Sequence, residues 1–237
     1  FSAEAAGILV VDRYSAYKAM RQVKVGRLLL AFCWAHVRRD FLEVGKGFRE
    51  LVPWALAWLR RIRDVYHTKA RRLEQPPGTA AFLEEDAPLR RQLTAMDQQA
   101  EAELSDATLR LPCRKVLTSL REHWEGLVRF VDHPEVPMDN NASERAGRGP
   151  AMGRKNYYGS GALWSARLAA AMFSIVATLK RWDLSPQAWL TWYFQQCAVA
   201  GGQAPADIQS FLPWNLSAKQ RAALRIGTAG NSNLDSS

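Results

Sequence analysis

Only two stretches of this chain read as β-strands, and both lie within its first 34 residues. Gly7-Ile8-Leu9-Val10-Val11-Asp12 is apolar, β-branched and too short for a helix, so it reads as a buried strand ending in a carboxylate. Arg13 to Met20 reads as a turn and a short helix. Arg27 to Trp34 is a second apolar run of strand length. With so little strand, the rest of the chain must form its core mainly from helices.

The helical signals follow in order. His36 to Val44 puts Val37, Phe41 and Val44 on one face, with Arg38, Arg39 and Asp40 off it and Gly45 and Gly47 expected to close it. Residues 51–73 predict a long amphipathic helix whose apolar side carries Leu51, Trp54, Leu56, Trp58, Leu59, Ile62 and Val65. Gln75-Pro76-Pro77-Gly78 is the clearest break. Two more helical stretches follow, over roughly 81–104 and 113–131, and Pro134 and Pro137 end the helical block. Residues 139–148 read as a short polar helix and Arg154 to Gly161 as a loop or short hairpin. Ala166 to Trp182 reads as a strongly apolar helix. Ser185-Pro186 starts another, with Ser at the cap and Pro at the first position. Beyond about residue 200 the composition turns to Gly, Ala, Ser and Asn, and the tail is expected to be poorly ordered. No internal repeat is found.

Charge adds a partner class. Lys and Arg number 32 against 23 Asp and Glu, a formal net charge of +9. Residues 1–74 hold 15 basic and 7 acidic side chains, and residues 135–183 hold 7 and 4. Residues 75–134, between them, hold 7 basic and 10 acidic. Two basic blocks separated by an acidic stretch favour a polyanionic partner, although a merely soluble basic protein would look the same by charge alone. Cys33, Cys113 and Cys197 are too few and scattered for a disulfide framework or a four-ligand zinc site, which fits a reducing, cytosolic compartment. No apolar run approaches the roughly 18 residues of a membrane span. Phe1-Ser2-Ala3-Glu4 lacks the basic start and apolar core of a signal peptide, and without an initiator Met the chain is expected to begin within a longer protein.

Four segments could carry chemistry. Asp12, at the end of a strand, is placed to hold a metal, or else it is a turn-forming Asp. In Asp139-Asn140-Asn141-Ala142-Ser143-Glu144-Arg145-Ala146-Gly147-Arg148, helical spacing would put Asn140, Asn141, Glu144 and Arg148 on one face. That face could hold a divalent metal at Glu144 while Arg148 meets a phosphate. Asn141 and Glu144 also have the spacing of a capping box, which needs no function. The basic, aromatic and glycine residues from Gly153 to Gly161, with Arg154, Lys155 and Asn156, suit phosphate contact and base stacking. In Cys33-Trp34-Ala35-His36, a Cys and a His three apart lack a second ligand pair. His36 therefore reads as bracing the next helix, and Arg38 and Arg39 as facing solvent or DNA phosphate.

Together these segments resemble the transposases of the insertion sequence 66 family. The likeness rests on Asp12-Arg13-Tyr14-Ser15-Ala16-Tyr17, on Cys33 to Phe41, on Asp139 to Arg145, and on Gly153 to Asn156, in that order and spacing, and it covers about residues 7–197. The resemblance implies a partial ribonuclease-H-like α/β fold, mainly helical here, in which Asp12 is the second acid of a DDE triad and Glu144 the third. Its core would comprise residues 1–47 and 135–183, split by a helical insertion over 48–134 and followed by a C-terminal helix over 184–200 and a disordered tail over 201–237. Tyr17, Cys33, His36, Asp139, Asn140 and Asn141 would support the acids. Arg38, Arg39, Arg145, Arg148, Arg154, Lys155 and Asn156 would touch DNA. The implied cofactor is a pair of magnesium ions and the implied partner is DNA, both transposon ends and target, in a homo-oligomeric active complex in the bacterial cytoplasm.

Two departures stand out. The family's first acid, in an Asp-Glu-Thr context on an earlier strand, has no counterpart here, and Trp164-Ser165 replaces a Gly-Gly pair. The chain alone is therefore expected neither to cut nor to join DNA. The rival expectation is a non-catalytic DNA-binding or assembly remnant.

Overall fold

A computed structural model describes residues 4–156 and 160–226, the side chain of Asn156 excepted. It divides into two compact units, residues 1–142 and 143–237.

The first unit opens with the two strands foreseen. β1 (Gly7–Val11) pairs in parallel with β2 (Leu28–Phe32), Gly7 opposite Leu28 and Val11 opposite Phe32. The crossover between them is made by α1 (Ser15–Ala19) and α2 (Arg21–Lys24). Gly26, at φ +72°, takes a left-handed turn that a side chain would resist, just before β2. α3 (Trp34–Gly47) buries Trp34, Val37, Phe41 and Val44. It ends at Gly47, as foreseen, while Gly45 lies inside it and faces α4 (Val52–Leu73). A Cβ built on Gly45 would lie 3.1 Å from that of Ala55, so its smallness lets two helices approach rather than ending one.

α4 buries Ala55, Trp58, Ile62 and Val65, whereas Leu56, expected on the apolar side, is 44% exposed. α5 (Ala80–Ser105) returns along it, capped by Thr79 and burying Phe82, Asp86, Leu89, Leu93, Met96 and Ala100 at alternating steps of four and three. The stretch read as one helix over 113–131 is three pieces: α6 (Leu111–Glu122), α7 (Trp124–Val128) and a 3₁₀ turn (Arg129–Val131). The break at His123 lets α7 turn onto β2. Sheet and helical block share one hydrophobic core, from Val11, Leu30 and Phe32 through Trp34, Phe41, Trp58 and Ile62 to Leu117, Leu120 and Phe130.

α8 (Asn141–Asn156) carries the chain into the second unit. It runs through Gly147, Gly149 and Pro150, so Arg154 and Lys155 sit in its last turn and not in a loop or hairpin. Tyr157, Tyr158 and Gly159, the aromatic part of the expected loop, lie outside the described residues. α9 (Leu163–Arg181) packs on α10 (Pro186–Val199), which Ser185 caps as foreseen. Against the expectation that no apolar run is long enough, α9 is long and apolar enough by length and mean hydropathy to cross a membrane, even with Arg167 within it.

The expectation of disorder from residue 201 fails over 201–226. A 3₁₀ turn (Ile208–Phe211) and α11 (Ala218–Ala223) pack Phe211, Leu216 and Leu224 against Leu179, Leu184 and Trp189. Trp189 Nε1 donates to the Phe211 carbonyl at 2.9 Å, and the Ser185 amide to that of Leu224 at 2.7 Å. Three apolar anchors in a polar stretch suffice when each is buried. The remainder of the expected tail, residues 227–237, lies outside the described residues.

Candidate active site

Three of the sequence elements singled out above meet at the carboxyl end of the two-stranded sheet. Asp12 follows β1 directly and is half-buried, with its Oδ1 accepting the Tyr14 amide at 3.0 Å. The Cys33 amide donates to the Val11 carbonyl at 2.9 Å, extending the strand pairing by one residue. The next amide, that of Trp34, donates to the Met138 carbonyl at 2.8 Å, and the Asn140 amide donates to Cys33 Sγ at 3.5 Å. Asp139 repeats the local geometry of Asp12, its Oδ1 accepting the Asn141 amide at 3.0 Å. Each carboxylate thus closes a turn onto its own chain two residues on, and each still has acceptor capacity beyond that one bond.

The turn after Asp12 is tied down by its neighbour. Arg13, its side chain only 13% exposed, pairs with Asp40 of α3 and donates from Nη1 to Ser119 Oγ of α6 at 2.9 Å. Tyr17 is half-buried against the core and meets the Tyr14 ring edge-on at 6.3 Å. His36 sits half-buried in the first turn of α3, and Arg38 and Arg39 are exposed on that helix. Trp34 is fully enclosed, with its Nε1 donating to the Leu127 carbonyl at 2.8 Å.

Sequence reasoning missed the α4 side of this site. Tyr66, half-buried, has its hydroxyl pKa pushed up by burial and then by the negative charge of Asp139. Lys69 is 8% exposed and donates to the Val136 carbonyl at 3.1 Å. Its pKa is pulled down by burial, and Asp139 opposes that shift. A signal was available: Ile62, Val65, Lys69 and Arg72 share the helical face that buries Trp58, and a cation on such a face needs a partner.

The remaining site residues belong to the second unit. Glu144 is half-buried in the first turn of α8, and Arg145, Arg148, Arg154 and Lys155 are exposed along it. Asn141 is the first residue of that helix and Asn140 precedes it, so Asn141, Glu144 and Arg148 share helical spacing while Asn140 does not.

Donor chemistry at the sheet end suits a hard cation. Asp12 and Asp139 offer carboxylate oxygens, and Asn140 Oδ1 is buried without a hydrogen-bond partner. Among the described residues, however, no three His, Cys, Asp or Glu side chains stand together as a metal cage. Ligand type fits and ligand number does not.

Residues 1–168 match the profile described as transposase IS66 family. The chain belongs to that family. Similar proteins include two from Sinorhizobium fredii, both uncharacterized. The protein y4jD is 30% identical over 220 residues, covering 90% of this chain and 42% of the relative. The protein y4hP is 28% identical over 222 residues, covering 88% and 39%. The chain therefore spans about two fifths of the length of these IS66-family relatives. No solved structure matches it.

Proposed function

We propose that the chain is part of the catalytic domain of a DNA transposase, with Asp12 and Glu144 as two carboxylates of a ribonuclease-H-like acid site. The observation that carries this reading is the meeting of the Asp12, Cys33 and Asp139 elements at the carboxyl end of a parallel strand pair, where open α/β sheets gather their ligands. Parallel pairing also suits a larger sheet, and the helical block after β2 corresponds to an insertion between the two acids.

Asp12 and Glu144 would hold magnesium together with a third carboxylate from a further segment, for which the greater length of the relatives leaves room. Two carboxylates under-fill the near-octahedral oxygen shells that magnesium requires, so the chain by itself neither cuts nor joins DNA. When bound, the ion pair supplies an activated attacking oxygen and a stabilised leaving oxygen for in-line displacement at phosphorus. The protein's own side chains orient the acids and hold the DNA. Asp139, Asn140, Asn141, Cys33 and Tyr17 brace the sheet end and His36 the start of α3. Arg38, Arg39, Arg145, Arg148, Arg154, Lys155 and Asn156 take phosphates of transposon end and target, in a homo-oligomeric complex.

One observation favours the second reading, a non-catalytic DNA-binding remnant: the lack of a three-ligand cluster among the described residues. The deciding experiment extends the chain to the length of its relatives and assays magnesium-dependent strand cleavage and joining. Glu144→Gln and Asp12→Asn are expected to abolish chemistry and keep DNA binding. Chemistry that survives both substitutions, or an extended protein that binds DNA without any chemistry, leaves the remnant reading standing.

A further inference from the structure

We infer that Lys69 and Arg72 of α4 are positioning residues that hold the Asp139–Asn141 element against the carboxyl end of the sheet. The inference rests on the proposal that this end is the acid site.

The inner face of α4 presents Trp58, Ile62 and Val65, all fully enclosed, and then two cations, Lys69 at 8% and Arg72 at 2% exposure. Burying a cation is costly unless it is bonded, and an apolar side chain of similar volume would fill either place without that cost. Both cations spend donors on main-chain carbonyls. Arg72 Nη2 donates to the Val131 carbonyl at 2.6 Å, and Lys69 Nζ to that of Val136 at 3.1 Å. Asp86 neutralises Arg72 at 2.5 Å, and Lys69 lies over the Phe130 ring at 5.3 Å.

Between these two carbonyls the chain makes a turn of its own, the Val136 amide donating to the His133 carbonyl at 2.9 Å. Between Val131 and Asn141 there is neither helix nor strand, and Pro134 and Pro137 have no amide to donate. From Val136 onward its bonds to the rest of the unit fall at every second residue. Val136 accepts from Lys69, Met138 accepts from the Trp34 amide, and Asn140 donates to Cys33. Val136 and Met138 are themselves buried. Residues 136–140 thus form a strap laced along one edge, and Asp139 lies between its last two fastenings. Lys69 is the fastening that the helical block supplies nearest to the acid.

The test uses the 237-residue chain and amide hydrogen exchange. The Trp34 amide, at the start of α3, is bonded to the strap, so its protection reports whether the strap is seated. Lys69→Met is expected to lose at least tenfold protection at Trp34 and Asn140 while Leu89 and Leu93 in α5 keep theirs, and Lys69→Arg is expected to restore it. Unchanged protection at Trp34 in the Met variant overturns the inference. So does a uniform loss that includes Leu93. Should the Met variant not fold, the Arg variant decides: seated protection at Trp34 supports positioning, and an unprotected Trp34 in a folded Arg variant refutes it. DNA binding by the unaltered chain is measured separately. Its absence would count against the transposase reading and leave the exchange result intact.

Discussion

Trp34 is enclosed on every side and yet polar at one end. Its indole N–H satisfies the Leu127 carbonyl at 2.8 Å, and its ring meets Trp124 edge-on at 6.1 Å. Trp34→Phe keeps most of the apolar contact and leaves that buried carbonyl unpaired, a loss expected to cost about 1–3 kcal/mol in urea denaturation. His123 gives a pH signature. Burial holds its pKa below the ordinary 6.5, with Lys18 and Arg13 adding to the shift and the Ser119 carbonyl opposing it. The folded state therefore prefers the neutral ring, so this contribution is complete above 6.5 and is lost as pH falls through that value. Between pH 7 and 5 the melting temperature of the native chain should drop further than that of His123→Asn. Equal slopes would remove His123 from the account. The Ser119 carbonyl lies only four residues before His123, but the partner of Trp34 could not be read in advance. The sequence singles out Trp34 by its motif, whereas Leu127 lies 93 residues further on.

Among the elements, the contact of α7 with β2 is the tightest. A Cβ on Gly126 would stand 2.5 Å from Phe32 Cδ2 and 2.8 Å from the Leu30 carbonyl oxygen, one of them backbone that cannot step aside. Gly126→Ala is expected to destabilise the first unit by at least about 1–3 kcal/mol, the usual range for overpacking. A calorimetric scan matching the native chain would show that the helix yields more easily than the geometry implies. Strands and long helices were legible because their periodicity is local: β1, β2, α4 and α5 lie within a few residues of the expected bounds. Glycine and proline are less legible. Of the two glycines expected to close α3, Gly47 does and Gly45 instead allows a close approach, and the helix expected over 139–148 runs on through Pro150. Composition misled at the C-terminus, where Phe211, Leu216 and Leu224 anchor a stretch that reads as polar.

For the whole molecule, the uneven charge makes a measurable claim. Arg145, Arg148, Arg154 and Lys155 are exposed on a single helix. If all four meet phosphate, duplex affinity should fall with salt at a slope of roughly −0.9 per contact, and replacing two of them by Gln should remove roughly 2 from it. A slope that does not change would place the DNA elsewhere. The site was legible as motifs and illegible as a scaffold. Asp12, Cys33 and Asp139 stand out in the sequence, but the Lys69, Arg72 and Arg13 ties that organise them join residues tens of positions apart and leave no periodic trace beyond cations on an apolar face.

The two edges of the sheet differ. The outer side of β2 is closed by α7 and by Arg129, whose Nε donates to the Leu30 carbonyl at 3.1 Å. Among the described strands, β1 has β2 on one side and nothing on the other, and Ile8, Leu9 and Val10 along it are only half-buried. A bare apolar edge of that kind is adhesive. Produced in isolation, this chain will tend to add copies of itself strand to strand as concentration rises. Its solubility will then depend less on its net charge than on whether another strand reaches β1 first.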